Sequence, residues 1–76
     1  MEETLRIIVE SLIEDKEQFQ ITTSENEKDV TFEIKVSPED MGRIIGKRGK
    51  MARAIRTIMK SLGMHESKRV NVEIVE

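Results

Sequence analysis

Two glycines separated by two basic residues are the part of this sequence best suited to chemistry. Gly46 and Gly49 flank Lys47 and Arg48. Glycines at this spacing allow a tight turn with backbone angles closed to other residues, and their missing side chains let a sugar-phosphate chain approach the backbone closely. The two cations at the tip of such a turn are placed to pair with phosphates. The segment therefore predicts a site for a phosphate-bearing ligand.

The charge distribution along the chain supports an anionic ligand, although the net charge of the 76 residues is only −2. Residues 1–40 hold twelve acids and four bases, residues 41–65 hold seven bases and no acid, and residues 66–76 hold three acids and two bases. A basic stretch without acids is typical of an anion-binding face. A charged helix face can also be merely solvated. We therefore expect contacts from Lys50 and Arg53, nearest the glycines, and leave Arg43, Arg56 and Lys60 open.

Two helices must position the glycine turn. Ser37 followed by Pro38 predicts the start of one helix, because serine caps a helix N-terminus and proline suits its first turn. Gly46 ends that helix, and the next runs from Gly49 to a left-handed C-cap near Gly63. A further helix over residues 2–15 is predicted from apolar residues at helical spacing: Leu5, Ile8, Val9, Leu12 and Ile13. Four methionines are expected to fill the core: Met41, Met51, Met59 and Met64.

Alternating apolar and polar residues predict three strands, within residues 19–23, 30–36 and 70–74. The first two are joined by a short polar segment and form an antiparallel hairpin. The second and third are joined by two helices, so they can lie parallel with a right-handed crossover. The element order is α-β-β-α-α-β. The fold class is α+β, a two-layer sandwich in which a three-stranded mixed sheet carries the helices on one face.

Length and composition exclude several classes of protein. Seventy-six residues allow one domain, 1–76, and the absence of cysteine argues against a disulfide-stapled secreted module or a cysteine-ligated metal site. The acidic N-terminus is unlike a signal peptide, and no apolar run could span a bilayer, so we expect a cytoplasmic protein without a membrane partner. We expect no cofactor and no metal.

The residues offer little for catalysis. There is no thiol, the one histidine, His65, is expected in a turn, and most carboxylates lie in the acidic first half. A nucleotide-binding P-loop fails on spacing, because Gly42 and Gly46 have three residues between them instead of four and Arg48 follows Lys47. The sequence is therefore interpreted as that of a non-enzyme.

An Ile-Ile-Gly-x-x-Gly segment between two helices flanked by strands resembles the KH domain of RNA-binding proteins. The helix and strand ahead of the β-α-α-β unit make it similar to the type II, prokaryotic arrangement, and the whole chain is most similar to the small bacterial single-KH proteins of the KhpA type. The resemblance implies that Gly46, Lys47, Arg48 and Gly49 clamp the backbone of about four single-stranded nucleotides, with Ile45 in the floor below the bases. Ala52 stands where the family often has a bulky aliphatic residue, which implies a shallower groove and weak base selectivity.

The leading hypothesis is a single-stranded RNA-binding protein of low sequence selectivity that acts as a post-transcriptional regulator or RNA chaperone. The alternatives are a dimerisation or scaffold subunit and a single-stranded DNA-binding protein. The resemblance also implies a homodimer and a larger partner of the Jag (KhpB) type. The exposed Lys47 and Arg48 favour nucleic-acid binding, because a pure scaffold has no need of cations there. No residue distinguishes RNA from DNA.

Overall fold

The computed structural model describes residues 1–75. These residues form a three-stranded mixed sheet with helices on one face. Single turns of 3₁₀ helix cover Lys16–Gln18 and Lys47–Gly49. The α-helices and strands occur in the predicted order, which confirms the α+β class: α1 (Glu2–Glu10), β1 (Gln20–Glu25), β2 (Asp29–Lys35), α2 (Pro38–Ile45), α3 (Lys50–His65) and β3 (Arg69–Val75).

The strands lie in the order β1-β2-β3, with β2 in the centre. β1 and β2 are antiparallel, and β2 and β3 are parallel in a register that pairs Phe32 with Val72. Both pairings agree with the sequence-based expectation. The parallel pair requires a crossover, and α2, the glycine turn and α3 supply it. The turn therefore lies within the connection between two neighbouring strands.

The core lies between one face of the sheet and the helices. Phe32 and Ile34 of β2 are buried, whereas their neighbours Glu33 and Lys35 are exposed, so β2 alternates as predicted. The buried apolar residues are Leu5, Val9, Ile13, Val30, Phe32, Ile34, Val36, Ile44, Ala52, Ile55, Met59, Val70 and Val72. All three α-helices contribute to this set, and burial of apolar surface is the main contribution that favours folding.

The first helix ends earlier than residue 15, which corrects the prediction of a helix over 2–15. α1 ends at Glu10, and the Leu12 amide donates to the Val9 carbonyl at 2.9 Å, as in a tightened last turn. Ile13 still reaches the core. Beyond it, the amides of Glu14 and Asp15 each donate to a carboxylate oxygen of Asp40 at 3.0 Å. These amides are therefore unavailable for a continuing helix.

Asp40 is a carboxylate with 1% of its surface exposed. Besides the two amides, it accepts hydrogen bonds from Ser37 Oγ at 3.2 Å and Arg43 Nη1 at 2.8 Å. Donation from the Glu14 amide is the largest cause of a lowered pKa at Asp40, and the other three donors lower this pKa further against the opposing effect of burial. The ionised carboxylate thus holds the segment after α1 against the first turn of α2.

The third helix runs past Gly63 to His65, so the prediction of a left-handed C-cap at Gly63 is wrong. The left-handed residue is Ser67, with φ of 58°. Gly63 is buried, and a Cβ there would lie 2.3 Å from Val70 Cγ2 and 2.8 Å from the Lys68 carbonyl oxygen. Glycine is needed for close packing of α3 on β3. Met59 is buried and Met41 and Met51 are half-buried, but Met64 is 78% exposed and does not belong to the core.

Alanine at Gly63 and at Gly42 should change stability in opposite directions. Gly42 lies in α2 and a Cβ there meets nothing within 4 Å. Both substitutions gain helix propensity, so the difference between the unfolding free energies of the two variants reports the steric cost at Gly63. We expect Gly42→Ala to be more stable than wild type by about 0.4–1 kcal/mol, and Gly63→Ala to be less stable, separated from Gly42→Ala by about 1–3 kcal/mol. Urea melts followed by circular dichroism measure both. A Gly63→Ala protein as stable as Gly42→Ala would contradict the close contact.

Asp40→Asn should weaken the acid dependence of stability. The folded-state pKa of Asp40 lies below its unfolded-state value, so its ionised form stabilises the fold above that value, and the contribution is lost as pH falls through the folded-state pKa. We expect the variant to melt below wild type at pH 7, and its melting temperature to fall less than that of wild type below about pH 4. Glu39→Gln removes the same charge at an exposed neighbouring position and is the control. If the melting temperatures of Asp40→Asn and wild type fall equally with pH in the acid range, the ionised Asp40 carboxylate does not stabilise the fold.

Candidate nucleic-acid interface

The turn between α2 and α3 depends on the backbone of Gly46. Its φ of 73° and ψ of 177° fall in a region that is essentially restricted to glycine. A Cβ at Gly46 would also lie 2.7 Å from Met51 Cβ and 2.9 Å from the Met51 amide nitrogen. Both the backbone angles of Gly46 and its close approach to α3 exclude a side chain at this position. Gly46 therefore allows the two helices to meet in a short turn.

The other end of the turn is left-handed at two successive residues. Arg48 has φ of 56° and ψ of 25°, and Gly49 has φ of 76° and ψ of 13°. A Cβ at Gly49 would meet no atom of residues 1–75 within 4 Å, so the backbone there has open space beside it. A non-glycine residue in the left-handed region is uncommon, and strained backbone often accompanies binding sites. The side chains of Lys47 and Arg48 are exposed, as predicted.

The N-terminus of α3 faces the same turn. Gly49 is its N-cap, and within residues 1–75 no side chain caps it. The positive end of the helix dipole and the first backbone amides are consequently available to an anion. Arg53 Nη2 donates to the Arg48 carbonyl oxygen at 3.0 Å and braces the turn from the first turns of α3. Arg53 lies where the sequence predicted it, with one nitrogen used to hold the backbone of the turn.

The seven cations of the basic stretch do not have equivalent surroundings. Arg43 forms ion pairs with Asp40 and with Glu14, and its Nη2 lies 3.1 Å from Glu14 Oε1. These two carboxylates neutralise its charge. Arg56 Nε donates to the Val72 carbonyl oxygen of β3 at 3.1 Å. In the part of the chain that the structure describes, six cations form no ion pair: Lys47, Arg48, Lys50, Arg53, Arg56 and Lys60. Four of the six lie in the turn or the first four residues of α3.

The apolar surface beside the turn is small. Ile45, the last residue of α2, is 38% exposed, whereas the preceding Ile44 is fully buried. Ala52 is also buried and belongs to the interior. The structure thus brings together all seven predicted residues at one end of α3: Ile45, Gly46, Lys47, Arg48, Gly49, Lys50 and Arg53. Their contacts with a nucleic acid stay a prediction.

Sequence reasoning missed the role of Asp40 in supporting this site. The missed signal was the serine three residues before an acid, since Ser37 Oγ accepts from the Asp40 amide at 3.2 Å in a capping arrangement. The long-range amide donors from Glu14 and Asp15 have no sequence signal. They depend on the packing of α1 against the rest of the core.

Residues 1–75 offer neither a metal site nor a membrane-spanning helix. No group of three or more histidine, cysteine, aspartate or glutamate side chains could hold a metal ion there. None of the helices in that range is long and apolar enough to cross a membrane. His65 is the exposed last residue of α3.

Comparison with known proteins places the chain in a family. A family model for the KH domain of KhpA and KhpB matches residues 2–74. The RNA-binding protein KhpA of Clostridium perfringens is 44% identical over 75 residues, covering 99% of this chain and all of the relative. Those of Listeria monocytogenes and Aquifex aeolicus are 42% and 37% identical over all 76 residues, covering 100% and 96% of the relatives. No solved structure matched. The glycine turn between two helices and the full-length match agree: this chain belongs to the KhpA/KhpB family of KH domains.

Proposed function

We propose that this protein binds single-stranded RNA by holding the sugar-phosphate backbone against the turn from Gly46 to Gly49. The observation that carries the proposal is the geometry of that turn, in which open backbone, two exposed cations and a helix N-terminus without a side-chain cap lie within four residues. Each of these features attracts a phosphate. The relatives in Clostridium perfringens and Listeria monocytogenes are named RNA-binding proteins, which supports RNA as the ligand.

Binding of this kind has low sequence selectivity. Phosphate contacts fix the position of a strand and carry no sequence information directly. The aromatic residues offer no platform for base stacking, because Phe32 is buried and Phe19 is half-buried with the Arg6 guanidinium 5.4 Å from its ring centre. Ile45 supplies the exposed aliphatic contact for bases beside the turn. A protein that holds many sequences weakly suits a post-transcriptional regulator or an RNA chaperone, and its role is binding rather than catalysis.

Reversing the charge of Lys47 and Arg48 should abolish RNA binding without unfolding the protein. Lys47→Asp with Arg48→Asp replaces two positive charges by two negative ones where a phosphate must come closest. Both side chains are exposed, and aspartate tolerates the left-handed backbone of residue 48. We expect no detectable binding of an unstructured oligoribonucleotide by fluorescence anisotropy, and a stability within about 0.5 kcal/mol of wild type.

The matched control changes net charge equally at exposed lysines away from the turn. Lys16→Glu with Lys35→Glu places the same charge change before β1 and on the open face of the sheet. We expect this control to retain RNA binding within a few-fold of wild type. If the variant at residues 47 and 48 is folded and binds like the control, the RNA site lies elsewhere. Competition with DNA of the same sequence tests the alternative ligand.

We also propose that the protein associates with a second copy of itself. A chain of this size buries little surface, so association adds stability. Within residues 1–75, four large apolar side chains on the helices are exposed. Apart from Ile45 beside the glycine turn and Met64 near the end of α3, they are Ile7 of α1 at 70% and Ile58 of α3 at 44%. Burial of such side chains in an interface is favourable. The family model groups KhpA with KhpB, which supports a KhpB-type protein as a second partner.

Sedimentation equilibrium across the micromolar range tests self-association. We expect the mass of wild type to rise from monomer toward dimer with concentration. Ile7→Glu or Ile58→Glu should shift the transition to at least tenfold higher concentration, because a charge would then enter the interface unpaired. Thr57→Glu, an exposed substitution next to Ile58, is the control. A monomer at every concentration contradicts the proposal for the isolated chain.

A further inference from the structure

A groove of about 370 Å³ lies at the C-terminal end of α3, where the chain enters β3. A volume of this size falls within the range of sites that hold small organic groups. The groove contains none of the residues assigned to the glycine turn. Its lining consists of Lys60, Met64, Lys68, Arg69, Val70 and Asn71.

Among residues 1–75, the groove offers one uncompensated cation to a phosphate. Three of its six lining residues are cations, and none of the six is acidic. Lys68 bonds to Glu25 and to the Asn26 carbonyl oxygen, and Arg69 lies 2.8 Å from Asp29 Oδ1, so these two side chains are held in place. Lys60 forms no ion pair within residues 1–75. It is the cation free to bind a ligand.

The groove also has an apolar surface that the fold does not explain. Met64 is 78% exposed although it was expected in the core, and it is the exposed apolar side chain of the groove, since Val70 beside it is 3% exposed. A flexible, polarizable methionine side chain can adapt to the flat face of an unsaturated ring. Asn71 adds an amide that can donate to and accept from a base edge. An unpaired lysine beside an apolar side chain and an amide suits a nucleotide.

One face of α3 connects this groove to the glycine turn. Residues at alternating intervals of three and four share a helix face, and the series here is Lys50, Arg53, Thr57, Lys60 and Met64. All five are exposed. Fourteen residues separate its ends, which corresponds to about 21 Å along the helix. A stacked strand with about 3.4 Å between phosphates would cover that length with roughly six nucleotides.

We propose that this groove is a second nucleotide-binding patch, and that the preferred ligand is a single-stranded RNA of about ten nucleotides rather than about four. The strand is held at the glycine turn, follows the exposed face of α3, and ends with a phosphate on Lys60 and a base against Met64. This inference rests on the proposed function, because it extends the same strand. It changes the ligand class from a short motif to a longer unstructured segment.

Oligouridines of four and twelve nucleotides separate the two patches. Fluorescence anisotropy of the full chain would compare wild type, Lys60→Ala with Met64→Ser, and the control Lys35→Ala on the open sheet face. We expect the groove variant to bind the twelve-mer about tenfold more weakly than wild type and the four-mer equally well. Loss of the Lys60 contact should also reduce the log–log salt slope on the twelve-mer by about 0.7. The control should match wild type on both lengths.

The same oligonucleotides distinguish failure of this inference from failure of the proposed function. If Lys47→Asp with Arg48→Asp binds neither length while the folded groove variant binds both as wild type does, the second patch is excluded and the glycine turn stands. If the groove variant weakens both lengths equally, the inference is also overturned. If the charge-reversed variant binds the twelve-mer normally and the groove variant does not, the groove is the main site and the proposed clamp is wrong.

Discussion

The carboxylate of Asp40 is the interaction on which the arrangement of the helices depends. It gathers two backbone amides from the segment after α1, a hydroxyl from the N-cap of α2 and a guanidinium from the next turn of α2. A buried carboxylate is costly unless its acceptor positions are filled, so the four donors and the charge stabilise one another. The start of α2 is thereby fixed relative to α1, and eight residues of α2 lead directly to the glycine turn. The position of the proposed binding site thus depends on a contact well removed from it in the sequence.

Local patterns in the sequence were enough to predict the element order, the sheet topology and the glycine turn. The apolar alternation of β2 and β3, the serine that caps α2 with the proline in its first turn, and the paired glycines all act through short-range physics that the sequence displays. The errors occurred where a distant residue decides the local structure. α1 stops at Glu10 although the apolar spacing continues, because Asp40 binds the amides that follow. Gly63 was interpreted as a helix end, but its lack of a side chain accommodates Val70.

The basic stretch illustrates how the fold divides residues of one type among different tasks. Composition alone treats its seven cations as equivalent. In the structure, Arg43 neutralises a buried acid, Arg53 braces the turn, and Arg56 bonds to a strand, while both residues at the tip of the turn extend outward. Arginine is suited to the three supporting tasks because its fork of donors can bond a carbonyl or carboxylate at fixed geometry. The cations left for a ligand are fewer than the sequence suggests.

The bond from Arg56 to the Val72 carbonyl has a consequence for the behaviour of the protein at high concentration. β3 lies at the edge of the sheet, and an edge strand presents unpaired backbone groups to which a strand of another molecule can add. The Arg56 guanidinium takes the acceptor near the middle of that strand and places a charge beside it. An incoming chain would have to displace this bond and desolvate the cation. Arg56 therefore makes the addition of a foreign strand at the β3 edge less favourable.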